Sequence, residues 1–225
     1  MAEGSPGVRR LVLVRHGQTA WNLEGRAQGH TDVSIDEAGR AQARAMAPYV
    51  AAMQPVALWS SDLARARETA EYIAAAAGLP VHQDGRLREF DVGLRAGLTI
   101  PEFAERFPDE HAAWASGHVT GGVPGAETIA DVAGRVVPAL LEAVAATPVG
   151  ETSVVVAHGA ALRVSIAALL GWPDELDQSL RAMDNCGWTT IEEDHGHGRL
   201  RLSSYNETAH PGVHGPDFAS DAPVG

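Results

Sequence analysis

Two apolar runs in the sequence each end at a histidine that is followed by glycine. The first run, Leu11–Val14, leads into Arg15 and His16, and the second, Val154–Ala157, leads into His158. Runs of β-branched residues that stop at a polar residue and glycine are typical of buried strands that end in turns. Either histidine alone could be a hydrogen-bonded structural residue. Ligands of an open α/β sheet bind beyond the carboxyl ends of its strands, so the repeated arrangement predicts one shared site.

The rest of the hydrophobic pattern alternates between strands and helices. Strands are predicted at Leu11–Val14, Pro55–Trp59, Pro80–His82, Ser153–Ala157, Trp188–Glu192 and Arg199–Ser204. Helices are predicted from the capping pattern Ser34–Glu37 to about Ala52, from the N-caps Ser60–Asp62 to the residue before Gly78, from Glu127 to about Ala146, and from Ala160 to Leu170. This alternation predicts an α/β fold, a three-layer sandwich in which helices flank both faces of a mostly parallel central sheet.

Four segments lack a regular pattern. Gly17–Thr31 predicts a polar loop, and Arg86–Gly125 predicts a loop that continues into an irregular region. Asp194–Gly198 predicts a hairpin loop between the last two strands. Residues 207–225 are rich in Gly, Pro, Ala and Asp and predict a poorly ordered tail, so a single domain is expected over residues 1–206.

Charge and hydropathy limit the classes of binding partner and the cellular compartment that we expect. The 225 residues carry a formal net charge of -12, and all 17 basic residues are arginines. Nucleic acids and anionic membranes require a basic footprint, so neither is expected as a partner, whereas a local group of arginines could hold a small anion. The sequence shows no apolar stretch of about 18 residues and no secretory signal, so we expect a soluble, cytoplasmic protein.

The single cysteine and the scattered histidines predict neither a disulfide nor a metal site. Cys186 has no second cysteine to pair with, which agrees with a reducing compartment. His195 and His197 lie two apart on a Gly-flanked turn, an arrangement more typical of a surface loop than of a metal site. We therefore expect no metal ion and no other cofactor.

Several short motifs occur in a specific order along the chain. They are Arg15-His16-Gly17 after the first strand, a loop with Asn22 and Gln28, Ser61-Asp-Leu-Ala-Arg65-Ala, Leu87-Arg88-Glu89, and Ala157-His158-Gly159. With this combination, over roughly Leu11 to Asn206, the sequence resembles the histidine phosphatase superfamily, whose fold is phosphoglycerate mutase-like. The resemblance implies a metal-independent phosphomonoesterase that acts on a small phosphorylated metabolite through a phosphohistidine.

The resemblance also implies catalytic roles for five residues. His16 would be the nucleophile, since a neutral imidazole nitrogen can attack phosphorus. Arg15, Arg65 and His158 would bind the transferring phosphoryl oxygens through charge-assisted hydrogen bonds. Glu89 would protonate the leaving alkoxide and then activate water. The competing interpretation is an exposed Glu89 in ion pairs with the arginines at positions 86 and 88.

A second group of residues is expected to bind the substrate: Gly17, Thr19, Asn22, Gln28 and Gly159. Asn22 would donate a hydrogen bond to the phosphoryl group, and Gln28 would reach the phosphate or the leaving group. Both side chains could instead serve the structure of their loop. Gly17 would supply conformational freedom and a backbone N–H.

Phosphoglycerate mutases of the same superfamily share the two histidines but carry longer insertions after the general-acid glutamate. The sequence after Glu89 has no comparable insertion, so an open site and hydrolysis are favoured over return of the phosphoryl group. Arg95-Ala96 stands where the family usually has Trp-Glu; Arg95 would contact a substrate carboxylate or pair at the surface. A third interpretation is a non-catalytic protein that binds phosphorylated partners, which would have no use for an acid such as Glu89.

Within the superfamily, the sequence is most similar to the actinobacterial glucosyl-3-phosphoglycerate phosphatases. The similarity lies in Arg-His-Gly-Gln-Thr, Gln28-Gly29, Ser-Ser-Asp-Leu and Asp184-Asn185-Cys-Gly-Trp188-Thr. It implies glucosyl-3-phosphoglycerate as a candidate substrate, although fold and site chemistry alone leave the leaving group open. A homodimer formed through an edge strand is compatible with the predicted fold.

Overall fold

A computed structural model describes residues 7–117, 122–173, 179–194 and 199–209. Within these ranges six strands form one sheet in the order β3-β2-β4-β1-β5-β6. The strands are β1 (Arg10–Arg15), β2 (Pro55–Ser60), β3 (Val81–Gln83), β4 (Thr152–Ala157), β5 (Trp188–Asp194) and β6 (Arg199–Glu207). The first four are parallel, whereas β5 and β6 are antiparallel to their neighbours. The α/β fold and the mostly parallel sheet are confirmed, and each predicted strand overlaps an observed one.

Helices cover both faces of the sheet, as predicted. They are α1 (Ala20–Glu24), α2 (Glu37–Ala52), α3 (Ala64–Ala77), α4 (Ile100–Arg106), α5 (Pro108–Ala115), α6 (Ile129–Ala146) and α7 (Gly159–Leu169). Successive side chains of a strand point to opposite faces. Leu11 and Leu13 of β1 accordingly pack in the core with α6 and α7, and Val12 and Val14 pack in a second core with α2 and α3.

Two predicted helix starts are wrong by a few residues. The N-cap of α2 is Asp36, whose carboxylate accepts from the backbone N–H of Gly39, and not Ser34. The N-cap of α3 is Leu63, which offers no side-chain acceptor; Asp32 from another loop accepts from the first N–H of the helix at 2.6 Å. In both cases a carboxylate satisfies an N–H that the helix leaves without an internal partner.

Two segments predicted as loops contain helices. The polar segment Gly17–Thr31 includes α1, and the region predicted as irregular includes α4 and α5, each with proline in its first turn, together with short 3-10 turns at Gly85–Leu87 and Gly93–Arg95. The helices α4 and α5 share a small apolar cluster of their own around Phe103 and Trp114. Helices this short are stabilised by local packing and have no long periodic pattern of apolar residues, so the sequence pattern did not predict them.

Some predictions fall outside the described residues. The predicted hairpin loop is described only at Asp194, and the predicted tail only as far as position 209. The first residue of that tail, Glu207, is the last residue of β6. The homodimer through an edge strand stays a prediction, for which β3 and β6 are the edges of the sheet. None of the helices in the described ranges has the length and hydropathy needed to cross a bilayer.

Arg95 is buried, which contradicts the predicted pairing at the surface; the predicted contact with a substrate carboxylate stays a prediction. Its guanidinium lies 4.6 Å from the ring centre of Phe103 and 4.5 Å from that of Trp114. Burial lowers the pKa of Arg95 to about 10, and its Nε has no hydrogen-bond partner in the described part of the chain. Cation–π contacts with the two aromatic faces offset part of the free-energy cost of removing the guanidinium from water.

Replacing Arg95 with methionine is expected to raise the free energy of unfolding by about 1–2 kcal/mol. Dehydrating a buried charge costs several kcal/mol, whereas each cation–π contact returns about 1 kcal/mol. Urea denaturation of the wild type and the variant measures the difference. Arg106→Met is the matched control, because it removes an exposed guanidinium that lies over Phe107 in the same unit. A loss of stability in Arg95→Met would show that the aromatic contacts outweigh the desolvation.

Candidate active site

The carboxyl ends of three neighbouring strands bring polar side chains together. β1 and β4 pair so that Arg15 lies opposite Ala157, and His16 and His158 follow directly. The centres of the two imidazole rings are 5.2 Å apart, and both rings are buried. β2 lies on the other side of β4 and is followed by Ser61, which is also buried. The structure thus places the two predicted histidines and Arg15 together at the carboxyl ends of β1 and β4.

The backbone carbonyl of the next residue holds His16 in one tautomer. Its Nδ1 lies 2.7 Å from the carbonyl oxygen of Gly17. Because a carbonyl oxygen only accepts, Nδ1 carries the hydrogen and Nε2 keeps its lone pair. The carbonyl of His16 accepts from Asn185 Nδ2 at 2.9 Å and from the backbone N–H of Cys186 at 3.3 Å. These contacts orient the ring and leave Nε2 without a hydrogen-bond partner among the described residues.

Burial and neighbouring arginines keep both histidines neutral. Desolvation lowers the pKa of His16 well below 6.5, and the guanidinium groups of Arg65 and Arg15 lower it further. Desolvation is also the main reason why the pKa of His158 lies well below 6.5, followed by the charge of Arg65. A neutral imidazole has the free electron pair that attack on phosphorus requires.

The free energy of unfolding is expected to fall as the pH is lowered through 6.5. The two imidazoles bind protons near pH 6.5 in the unfolded chain but stay neutral in the folded protein until the pH is well below that value. The unfolded state therefore binds more protons in this window, so stability rises with pH, with a slope that approaches about 1.4 kcal/mol per pH unit for each histidine well below pH 6.5. Urea unfolding between about pH 5 and 7.5 measures the slope.

Two variants separate this effect from other titrations. His16→Asn and His158→Asn should each reduce the slope by the share of one histidine. An unaltered slope in His16→Asn would contradict the assignment.

His158 is clamped between Arg65 and Ser61. Arg65 Nε donates to His158 Nδ1 at 3.2 Å, so Nε2 carries the ring hydrogen and donates to Ser61 Oγ at 2.9 Å. The same hydroxyl accepts from the backbone N–H of Leu63 at 3.3 Å. Both nitrogens of His158 thus have protein partners, and a bound phosphoryl group would have to replace one of them.

Arg65 lies in the first turn of α3 and is completely buried. Its Nη1 donates to the Thr31 carbonyl at 2.9 Å, and its Nη2 donates to the Gly29 carbonyl at 2.8 Å. A guanidinium has five N–H donors, so two remain for an anion. Desolvation lowers the pKa of Arg65 to about 10, against the opposing charges of Glu89 and Asp32. The side chain is therefore still a cation at neutral pH.

Arg15 and Gly159 fit against each other. The guanidinium of Arg15 is buried, and Nη1 donates to the carbonyl of Met183. A Cβ atom on Gly159 would lie only 3.2 Å from Arg15 Nε. Gly159 therefore contributes space, which lets a cation lie beside the N-terminus of α7.

The carboxylate of Glu89 caps the N-terminus of α7. Oε1 accepts from the backbone N–H of Ala161 at 2.8 Å, and Oε2 accepts from that of Ala160 at 3.2 Å. The N-cap residue His158 makes no side-chain cap of its own. Glu89 is thereby fixed beside His158, and its negative charge acts on Arg65. A carboxylate, two imidazole rings and two guanidinium groups are thus gathered in one place.

The arginines next to Glu89 have other partners. Arg86 pairs with Asp84 and Glu142 at 2.7 Å each, and Arg88 pairs with Asp62 at 2.6 Å. The competing interpretation, in which these arginines neutralise Glu89, is therefore wrong. The Glu89 carboxylate faces the helix and the site.

Gly17 is held by close packing and not by an unusual backbone conformation. Its φ angle is outside the left-handed region, and its N–H donates to Thr69 Oγ1 at 2.9 Å. A Cβ atom on Gly17 would lie 2.8 Å from the carbonyl oxygen of Gly39 in α2, and one on Gly39 would overlap the carbonyl oxygen of Gln18. The Gly17 amide that was predicted for substrate has a protein partner, and the two glycines let α2 press against the residue after His16.

Thr19 and Asn22 form the capping box of α1. Asn22 Oδ1 accepts from the Thr19 N–H at 3.0 Å, and Thr19 Oγ1 accepts from the Asn22 N–H at 3.2 Å. Thr19 therefore serves the loop. Asn22 Nδ2 has no hydrogen-bond partner among the residues that the structure describes, so this amide can still donate to a ligand.

Gln28 presents a polar atom without a partner. The side chain is buried, and its Oε1 has no hydrogen bond within the described ranges. The following carbonyl, that of Gly29, accepts from Arg65. Leaving a buried polar atom unsatisfied costs free energy, so a ligand group at this position would be stabilising.

Sequence reasoning missed the side chains that support the site from outside. Ser61 and Asn185 hold His158 and His16, and both stood within the quoted motifs without an assigned role. Arg135 of α6 donates to the backbone carbonyl of the predicted general acid, but no local motif marked it.

In the described part of the chain, no group of three or more His, Cys, Asp or Glu side chains is placed to hold a metal ion. His195 and His197, predicted as surface residues, lie outside that part.

Comparison with known proteins assigns a family. The sequence profile described as histidine phosphatase superfamily, branch 1, matches residues 11–207. A glucosyl-3-phosphoglycerate phosphatase of Mycobacterium tuberculosis is 37% identical over 214 residues, covering 89% of this chain and 96% of that protein. A probable phosphoglycerate mutase, GpmB, of Escherichia coli is 34% identical over 183 residues, covering 81% of this chain and 84% of that protein.

The similarity extends to solved structures. The structure of a mycobacterial glucosyl-3-phosphoglycerate phosphatase in complex with VO3 superposes with a TM-score of 0.81 at 37% identity, covering 89% of this chain and 100% of the other. The YhfR protein of Bacillus stearothermophilus superposes with a TM-score of 0.82 at 30% identity, covering 89% of this chain and 98% of the other.

Proposed function

Because the chain belongs to the histidine phosphatase superfamily, we propose that it hydrolyses a small phosphomonoester through a phosphohistidine formed on His16. The observation that carries this proposal is the tautomer of His16. Its Nδ1–H is bound to a backbone carbonyl, and burial keeps the ring neutral, so Nε2 offers a lone pair within the electrostatic field of Arg65 and Arg15.

In the first step, Nε2 of His16 attacks phosphorus and the bond from phosphorus to the ester oxygen breaks. Arg15 and the two remaining N–H donors of Arg65 stabilise the charge on the phosphoryl oxygens, where preorganised donors have their largest effect. Asn22 Nδ2 and Gln28 contribute further polar contacts. Glu89 acts as the general acid and gives a proton to the leaving alkoxide.

In the second step, water attacks the phosphohistidine. The Glu89 carboxylate accepts the proton of that water, the bond from Nε2 to phosphorus breaks, and inorganic phosphate leaves. One carboxyl group therefore serves as acid and then as base, and the chain's own residues supply every group for the cycle.

For the substrate, we propose glucosyl-3-phosphoglycerate or a close relative. The support is the similarity of this chain, over nearly its whole length, to proteins named for that activity. The probable mutase relative at 34% identity keeps a mutase as the alternative.

The test is phosphate release by the wild type from glucosyl-3-phosphoglycerate, 3-phosphoglycerate and p-nitrophenyl phosphate, with EDTA present. Release that is fastest from the glucosyl ester supports the proposal. Transfer of phosphate between phosphoglycerates without net release would indicate the mutase. Tight binding of phosphomonoesters with no turnover would indicate a binding protein and overturn the proposed hydrolysis.

A further inference from the structure

Arg135 of α6 contacts three carbonyl groups of the segment that carries Glu89. Its Nη1 donates to the carbonyls of Arg86 and Arg88 at 2.9 and 2.7 Å, and its Nη2 donates to the carbonyl of Glu89 at 2.7 Å. These residues are the 3-10 turn Gly85–Leu87 and the two residues that follow it. One planar guanidinium therefore sets the path of the backbone that leads to the general acid.

The guanidinium is itself held from the opposite side. Glu127 accepts from Arg135 Nε at 2.8 Å and from Nη2 at 2.7 Å, and both side chains are about four-fifths buried, with exposures of 19% and 22%. Glu127 also accepts from the backbone N–H of Asp91 at 2.8 Å, just beyond Glu89. The bidentate pair thus joins α6 to the chain on both sides of Glu89.

His30 adds a second donor to the same carbonyl. Its Nε2 lies 2.8 Å from the oxygen of Glu89, so this nitrogen carries a hydrogen. A carbonyl has two lone pairs, and Arg135 and His30 occupy both. The side chain of Glu89 is meanwhile fixed by the N-terminus of α7. The backbone and the carboxylate of one residue are therefore anchored to different elements of the fold.

We infer that Arg135 is a positioning residue for the general acid, acting through the Glu89 backbone without touching substrate. This inference rests on the proposed function, because it assumes that Glu89 protonates the leaving alkoxide. A misplaced acid slows the departure of a poor leaving group, whereas a nitrophenolate departs readily without a proton. Displacement of a catalytic group by about 1 Å can cost about 100-fold.

The experiment compares kcat/KM for an alkyl phosphate and for p-nitrophenyl phosphate. In Arg135→Met, kcat/KM for the alkyl phosphate is expected to fall by about 10–100-fold, and that for p-nitrophenyl phosphate by less than about threefold. Arg135→Lys keeps the charge without the planar fork and should give an intermediate ratio. Arg86→Met is the matched control, since it removes a surface guanidinium from the same segment and should leave the ratio unchanged.

The ratio separates positioning from folding. A variant that is merely unstable loses activity toward both substrates equally, and that result would overturn the inference. Adding Arg135→Met to Glu89→Gln should lower the alkyl phosphate rate no further, because the two changes remove one function; a further independent loss would also overturn it. A wild type that releases no phosphate from either ester would instead refute the proposed function itself.

Discussion

His16→Asn is expected to lower kcat/KM for phosphate release by at least about 10⁴-fold. Asparagine can keep the hydrogen bond to the Gly17 carbonyl through its amide nitrogen, but it has no lone pair in place of Nε2. The variant should therefore fold and bind phosphomonoesters while failing to form a phosphoenzyme. Phosphate release measures the rate, and acid quenching followed by detection of acid-labile protein-bound phosphate measures the intermediate.

His82→Asn serves as the control, because it removes an exposed histidine at the edge of the sheet. It should retain wild-type activity. A His16→Asn variant that kept more than about one hundredth of wild-type turnover would rule out a covalent route through His16.

Arg65→Met is expected to lower kcat by about 10²–10³-fold, the usual effect of removing one preorganised donor to a charged transition state. Three internal contacts are lost at the same time, to the carbonyls of Gly29 and Thr31 and to His158 Nδ1. The fall in kcat should therefore reflect two changes, the missing positive charge and a His158 Nδ1 that has lost its donor. Steady-state kinetics with separate kcat and KM values, and circular dichroism to verify the fold, make the measurement.

Arg67→Met is the matched control on the same helix, since Arg67 Nη1 contacts only the carbonyl of Asp62 among the described residues. Its activity should change by less than about threefold. If Arg65→Met raised KM and left kcat intact, Arg65 would bind the ground state and the transition state equally, contrary to the proposed role.

The sequence was sufficient for the sheet and for the convergence of the two histidines, because both depend on repeated local signals. Two apolar runs end in His-Gly, and in each run the histidine marks the carboxyl end of the strand. Parallel strands place their carboxyl ends side by side, which brings the two histidines together. The helices α2, α3, α6 and α7 have long apolar stripes that reveal their positions. The family motifs added Arg65 and Glu89, which no periodicity could relate to His16.

The details that failed depend on contacts between distant residues. Asp32 caps α3 from another loop, and Glu89 caps α7 across 71 residues of sequence. The burial of Arg95 follows from two aromatic rings on α4 and α5, helices that are too short to be predicted from hydrophobic period. Positions whose role is set by a distant partner carry no local pattern.

We expect the close packing of α2 against the residue after His16 to limit the temperature at which turnover persists. Gly17 and Gly39 leave no room between the helix and the backbone whose carbonyl holds the His16 ring. The ring of His16, the proposed nucleophile, is therefore only as rigid as α2, a helix with no side chain among the proposed catalytic groups. Heating that loosens α2 would free the ring to rotate while the sheet is still intact. Turnover should then be lost at a lower temperature than secondary structure, and α2 is where substitutions for heat tolerance should begin.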